Sequence, residues 1–205
     1  VVPTVLIAAL EWNQTLAGMG TLDRLSNAWF QSVTTRTAGF NSVDFAQMHP
    51  ATLMLVDALM FIGGSPGSTA GGVKTTTLFV LIAAIVAVTR QREAVVWGGW
   101  RLPPATLYRA AAVVTLGALS VLLAVFLLLL TQAMDLQVAL FEAVSALGTV
   151  GLTIGGTAML DSVGKLIIIV CMFMGRVAPL TLFLMFNRAS ASETWDYPEQ
   201  DVSVG

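Results

Sequence analysis

Two four-residue stretches, Thr37-Ala38-Gly39-Phe40 and Thr149-Val150-Gly151-Leu152, each set a glycine among small or hydroxylated residues just after a short apolar segment. A dehydrated cation needs several oxygens at its coordination distance. Backbone carbonyls supply them where glycine lets the chain turn without a Cβ clash. A short helix ending on such a loop also turns the negative end of its dipole toward the cation. Either glycine alone reads equally well as an ordinary turn, and it is the recurrence of the pattern that favours cation coordination.

A third stretch, MFIGGSPGSTAGGVKTTT from Met60 to Thr77, holds five glycines and a proline between Gly63 and Gly72. Glycine costs a helix about 1 kcal/mol and proline about 3, so a helix breaks here. The apolar flanks, Thr52 to Ile62 and Leu78 to Val88, are each shorter than the roughly 20 residues that span a bilayer. Together they span with a break, and non-helical backbone at membrane depth is tolerated only where it is buried in protein or lines a water-filled cavity. Gly67 and Gly72 have the glycine spacing of a phosphate-binding loop, but Val73 intervenes before Lys74-Thr75 and no soluble strand precedes them. The nucleotide reading fails on that context, and Lys74 is left to bond the loop or reach the cytoplasmic face.

The isolated charges narrow the chemistry. Arg176 lies in the last apolar run, where its permanently charged guanidinium faces a cavity or a partner. Beside a cation pathway it raises a barrier; the alternative is a structural pair with a neighbouring segment. Arg36 precedes the first glycine loop and Glu142 lies in the segment before the second. Buried charges need partners, so Glu142 is expected to hold Arg36, or backbone amides behind a loop. Asp57, in the broken span, either faces the ion path or bonds a neighbouring hydroxyl. The single histidine, His49, has no cysteine nearby, and the single Cys171 sits in an apolar run. No structural metal or internal disulfide is expected, and the absence of a nucleophile–base pair argues against an enzyme.

The elements that must position these residues are membrane spans. The 205 residues are 56% hydrophobic and 11% charged, with a mean hydropathy of +0.82, whereas soluble domains average about 25% charged. The net charge of −2 gives no reason to expect nucleic acid. Val1 to Ala17 reads as a truncated first span of a longer polypeptide; Leu22 to Val33 as a short amphipathic helix with Leu22, Leu25, Ala28, Trp29 and Val33 at helical spacing. The polar run Thr34 to Ser42, a turn-like Asp44 to Pro50 and the broken span follow. Thr89 to Pro104 reads as a loop and Ala105 to Leu130 as an unbroken span, with Pro103 and Pro104 suited to a helix start. Asp135 to Leu147 is a second short segment and Val163 to Phe186 the final span. The order span, short helix, polar loop, span thus occurs twice, anchored on Phe30 and Phe141 or on Gly39 and Gly151, with the second loop one residue longer. Arg90, Arg92, Arg101 and Arg109 flank the middle loop against Glu93 alone, which places that loop in the cytoplasm. Both glycine loops then open outward, the tail is inside, and Trp97, Trp100 and Trp195 read as interfacial anchors.

Several of these stretches together, TTRTAGFNS (34–42), MFIGGSPGSTAGGVKTTT (60–77), FEAVSALGTVGLT (141–153), GRVAPLTL (175–182) and the terminal YPEQDVSVG, closely resemble the Trk/Ktr/HKT superfamily of potassium transporters, above all the membrane subunit of bacterial Ktr systems. The resemblance implies an all-α membrane protein with two span–pore helix–span repeats and re-entrant filter loops, half of a four-repeat, pseudo-tetrameric cation channel fold. Residues 1–90 would be the third repeat, 91–104 a cytoplasmic loop, 105–190 the fourth repeat and 191–205 a cytoplasmic tail. Thr37 to Phe40 and Thr149 to Leu152 would form two of the four filter segments for K+, supported by Arg36 and Glu142. Gly63, Gly64, Gly67, Ser68, Thr69, Gly71, Gly72 and Lys74, in the loop 63–74, would form an intramembrane gate with Arg176. Ala178 stands where the family more often has glycine. The implied function is K+ uptake across a cell inner or plasma membrane, with no cofactor and with Na+ as an activating or coupling ion. The implied partners are the two missing N-terminal repeats, a second copy in a homodimer, a nucleotide-binding RCK ring and membrane lipid. A non-conducting scaffold or regulatory subunit with an incomplete pore is the rival expectation.

Overall fold

The structure is a computed structural model that describes residues 1–92 and 94–177. The last part of the expected final span, Ala178, Trp195 and the tail 191–205 lie outside the described residues.

Helix α1 covers Val2–Glu11 and α2 covers Thr21–Thr34. The turn between them is tied by Arg24, whose guanidinium donates to the Met19 and Trp12 carbonyls at 2.9 and 3.0 Å and stacks over the Trp12 ring. On α2 the apolar stripe faces outward: Leu22, Leu25, Trp29 and Val33 are exposed, whereas Ala28, Gln31 and Thr34 are buried. Gln31 and Thr34 are turned inward, where they bond the following loop at Ser42 and Phe40.

A 3₁₀ turn at Phe45–Gln47, capped by the Asp44 carboxylate, leads to α3 at Pro50–Phe61. Glu11 organises this corner. Its side chain is fully buried and accepts from the His49 amide, the Thr52 hydroxyl and the Thr15 hydroxyl and amide, joining α1 to the start of α3.

The glycine-rich stretch separates α3 from α4, Thr75–Thr89. The connection that follows is not pure loop. It carries an antiparallel hairpin, β1 at Val96–Trp97 and β2 at Trp100–Arg101, a small departure from the all-α expectation. Gly98-Gly99, both at positive φ, is the two-residue turn that hairpins favour, so Trp-Gly-Gly-Trp was a readable signal. Trp97 packs edge-on against Phe79 at 4.9 Å.

Helix α5 covers Pro104–Thr131 and, among the described residues, is the one helix long and apolar enough to cross a membrane by itself. Helix α6, Leu136–Leu147, sits against α3, α5 and α8, and every residue from Phe141 to Leu147 is buried, as expected of a helix with neighbours on all sides. A short α7, Gly156–Met159, precedes α8, described over Ser162–Val177.

Asp161 caps α8 and ties it to α5: its carboxylate accepts from the Gly164 amide at 2.8 Å and from Gln132 Nε2 at 2.7 Å. The Gly164 bond, then that of Gln132, holds this exposed carboxyl below its ordinary 3.8. A depressed folded-state pKa stabilises fully above the unfolded value and less as protons are taken up below it. The expected result is a wild-type-minus-Asp161→Asn difference in melting temperature that is constant above about pH 5 and shrinks as pH falls through 3.8. A difference that does not change over that interval would show that the cap is not electrostatic.

Candidate functional site

The two glycine loops are built alike. In the first, Thr34 on the last turn of α2 donates its hydroxyl to the Phe40 carbonyl and accepts from the Phe40 amide at 3.0 Å. In the second, Ser145 on α6 donates to the Leu152 carbonyl at 2.6 Å and accepts from the Gly151 amide at 3.2 Å. Each helix therefore holds the loop behind it through one buried hydroxyl.

Backbone shape repeats as well. Thr37 and Gly39 have φ of 68° and 75°, and Thr149 and Gly151 have 53° and 94°, with Ala38 and Val150 between them outside that region. The threonines were not expected there, because a β-branched residue at positive φ is an outlier. At Gly39 the left-handed backbone is joined by a tight contact, since a Cβ would overlap the Val150 carbonyl. The two loops face each other, and a Cβ on Gly151 would lie 4.0 Å from the Gly39 Cα.

Behind each loop lies a polar side chain from the helix that precedes it. Gln31 donates to the Ser42 hydroxyl at 2.9 Å, while Glu142 accepts from the hydroxyls of Thr153 and Thr157. Gln31 and Glu142 correspond when the repeats are anchored on Phe30 and Phe141, and Ser42 and Thr153 each lie eleven residues further on. Gln31 was not among the expected site residues, although that alignment pointed to it. The expected Arg36–Glu142 contact is not made: the carboxylate is taken up by the two threonines, and Arg36 Nη1 donates instead to the Gly63 carbonyl at 3.2 Å. Both groups thus support loops, but separate ones. Glu142, Ser145, Thr149, Gly151 and Leu152 share a cavity of about 370 Å3.

The glycine-rich stretch forms a closed loop. Ile62 and Val73 pair in a parallel bridge, Val73 N–H donates to the Phe61 carbonyl at 3.0 Å and Thr75 N–H to the Gly64 carbonyl at 3.2 Å. Three cations hold its carbonyls: Arg36 that of Gly63, Lys74 those of Ser68 and Ala70, and Arg176 that of Thr69. Lys74 therefore bonds the loop rather than reaching away from it. Arg176 can reach because its neighbour Gly175 lies against the end of α6, where a Cβ would overlap the Leu147 carbonyl. The loop also touches the second glycine segment, with Gly71 N–H donating to Thr149 Oγ1 at 3.1 Å.

The remaining candidates stay apart. Asp57 is buried on α3, and no described hydroxyl reaches its Oδ1. His49 caps α3, its Nδ1 accepting from the Ala51 amide. Among the described residues no cluster of three metal-ligating side chains occurs.

A family described as TrkH, cation transport protein, matches residues 1–196. The Ktr system potassium uptake protein D of Bacillus subtilis (strain 168) is 39% identical over 199 residues, covering 97% of this chain and 44% of the relative. The Ktr system potassium uptake protein B of Vibrio alginolyticus is 38% identical over all of this chain and 45% of the relative, and the potassium/sodium uptake protein NtpJ of Enterococcus hirae is also 38% identical. The chain spans about 45% of the length of these relatives. In fold it is similar to the potassium transporter TrkH from Vibrio parahaemolyticus, with a TM-score of 0.77 at 24% identity over 91% of this chain and 42% of that one.

Proposed function

From the premise that this chain belongs to the TrkH family of cation transport proteins, a family of transporters and not of enzymes, we propose that it supplies two of the four walls of a K+ uptake pore. The observation that carries this reading is the meeting of two like-built loops at Gly39 and Gly151. Alternating left-handed and ordinary residues line up successive peptide groups, with amides on one side and carbonyls on the other. Thr37 to Phe40 and Thr149 to Leu152 then present carbonyl oxygens to a dehydrated K+. The hydroxyls of Thr34 and Ser145, with Gln31 and Glu142 behind them, keep the loops from collapsing when the ion leaves.

The loop from Gly63 to Lys74 is the gate in this reading. Its carbonyl at Thr69 is bonded by Arg176, whose fixed positive charge repels a cation where the path narrows. A cavity of about 150 Å3 behind it, lined in part by Phe61, Val73, Val113 and Gly117, offers room for displacement. The arginines between α4 and α5 orient that connection to the cytoplasm, which sets the glycine loops outward and the C-terminus inside a multi-pass protein of the inner or plasma membrane. The other two walls come from further repeats of the same polypeptide. Control by an RCK ring, assembly as a homodimer and a role for Na+ belong to the same proposal.

The test is K+ and Na+ uptake by the complete polypeptide in cells lacking their own potassium uptake, with the regulatory subunit supplied. The expected result is uptake of K+ in preference to Na+. Arg176→Ala should speed uptake about fivefold, the loss of one charge-assisted hydrogen bond and one repulsive charge, with selectivity unchanged. A slower, unstable variant would make Arg176 a structural partner. No cation uptake by a folded, membrane-inserted protein would favour the non-conducting scaffold.

A further inference from the structure

Resting on the reading of these loops as filter and gate, we propose that Thr149 and Arg36 couple them, so that displacement of the gate loop and ion occupancy of the filter control each other. The loop is not only blocked by Arg176. Its first residue hangs from the residue that precedes one filter segment, and its last turn from the first residue of the other.

Both ties are direct. Arg36, immediately before Thr37, donates to the Gly63 carbonyl at 3.2 Å. Gly71 N–H donates to the hydroxyl of Thr149, the first residue of the other segment, at 3.1 Å. The approach at this second tie leaves no slack, since a Cβ on Gly71 would overlap Thr149 Oγ1 and lie 2.9 Å from the Gly148 carbonyl. Because Ile62 and Val73 bridge the loop's ends, the loop moves as a body, and a shift that frees Gly71 bears on Gly63 too.

Thr149 is held in a left-handed backbone, φ 53°, which a β-branched residue rarely adopts. That conformation needs support from the surroundings, and the Gly71 amide is part of it. The next residue, Val150, has its carbonyl against Gly39. A change at Thr149 therefore reaches both segments within one peptide unit. Coupling of this kind is reciprocal: if loop release lowers the affinity of the segments for an ion, the ion restrains the loop by the same factor. With two hydrogen bonds as the link, the expected factor is about fivefold, the low end of measured couplings.

The experiment uses the complete transporter in lipid nanodiscs and follows amide hydrogen exchange of peptides covering 60–75 in K+ and in choline. Wild type should exchange at least about fivefold more slowly in K+. Thr149→Val keeps the shape and the β-branch but loses the acceptor, and should reduce that difference; Thr149→Ser should retain it in full. Arg36→Gln, acting on the other tie, should reduce it independently should the valine variant fail to fold. An ion-dependent difference left unchanged by both Thr149→Val and Arg36→Gln overturns the coupling, as does a wild-type loop indifferent to K+. Failure of the underlying reading looks different, because Gly39→Ser would then leave K+ uptake and selectivity untouched.

Discussion

Gly39→Ser in the complete transporter should lower K+ uptake at least about tenfold and narrow the preference for K+ over Na+. Two costs coincide at this position. The backbone is left-handed, φ 75°, which costs a residue with a Cβ about 1–2 kcal/mol. The added Cβ would also overlap the Val150 carbonyl on the facing loop, so relief requires one segment to move. About 1.4 kcal/mol corresponds to a tenfold effect, which the left-handed backbone alone can account for. Measured as initial rates of K+ and Na+ uptake at matched protein levels, an unchanged rate and selectivity would show that this loop does not contact the ion.

Glu11→Ala should have the largest effect on stability, about 3 kcal/mol or more, because a buried donor left without its acceptor costs roughly 1–3 kcal/mol and several are lost together. Glu11 is 0% exposed. Its Oε1 accepts from the His49 amide at 2.9 Å and from the Thr52 hydroxyl, and its Oε2 accepts from the Thr15 hydroxyl at 2.8 Å. Alanine strands these donors and opens a void. Glu11→Gln, which keeps one accepting oxygen, should fall between alanine and wild type. Thermal unfolding in detergent ranks the three, and an alanine variant that melts with wild type would show that water replaces the carboxylate freely.

Some of this was legible along the chain. The break between α3 and α4 follows from five glycines and a proline within ten residues, a composition no helix sustains. The start of α5 at Pro104 follows from proline's fixed φ and missing donor. Glycine at 39 and 151 announced backbone that other residues avoid, and both have positive φ. Glu11 could also have been suspected, since a lone carboxylate ending an apolar run must find donors, but which donors was not readable: Thr52 is 41 residues away.

By itself, then, the sequence determined where the chain breaks between α3 and α4, where α5 starts and that the chain suits a membrane, because these depend on local backbone preferences and on apolar content; it ran the first span on to Ala17, whereas α1 ends at Glu11. Only the tertiary structure decided which groups meet. Glu142 was expected to hold Arg36 or backbone amides, because a buried charge needs a partner; packing gave Glu142 two threonine hydroxyls and Arg36 the Gly63 carbonyl. On α2 the apolar stripe Leu22, Leu25, Trp29 and Val33 is exposed while Gln31 and Thr34 are buried, since an amphipathic pattern states that two faces differ and not which of them packs inward. The Gly71–Thr149 contact joins residues 78 positions apart, and no spacing rule reaches that far: helix and strand periods relate residues within one element, while contacts between elements are chosen by the packing of the whole chain.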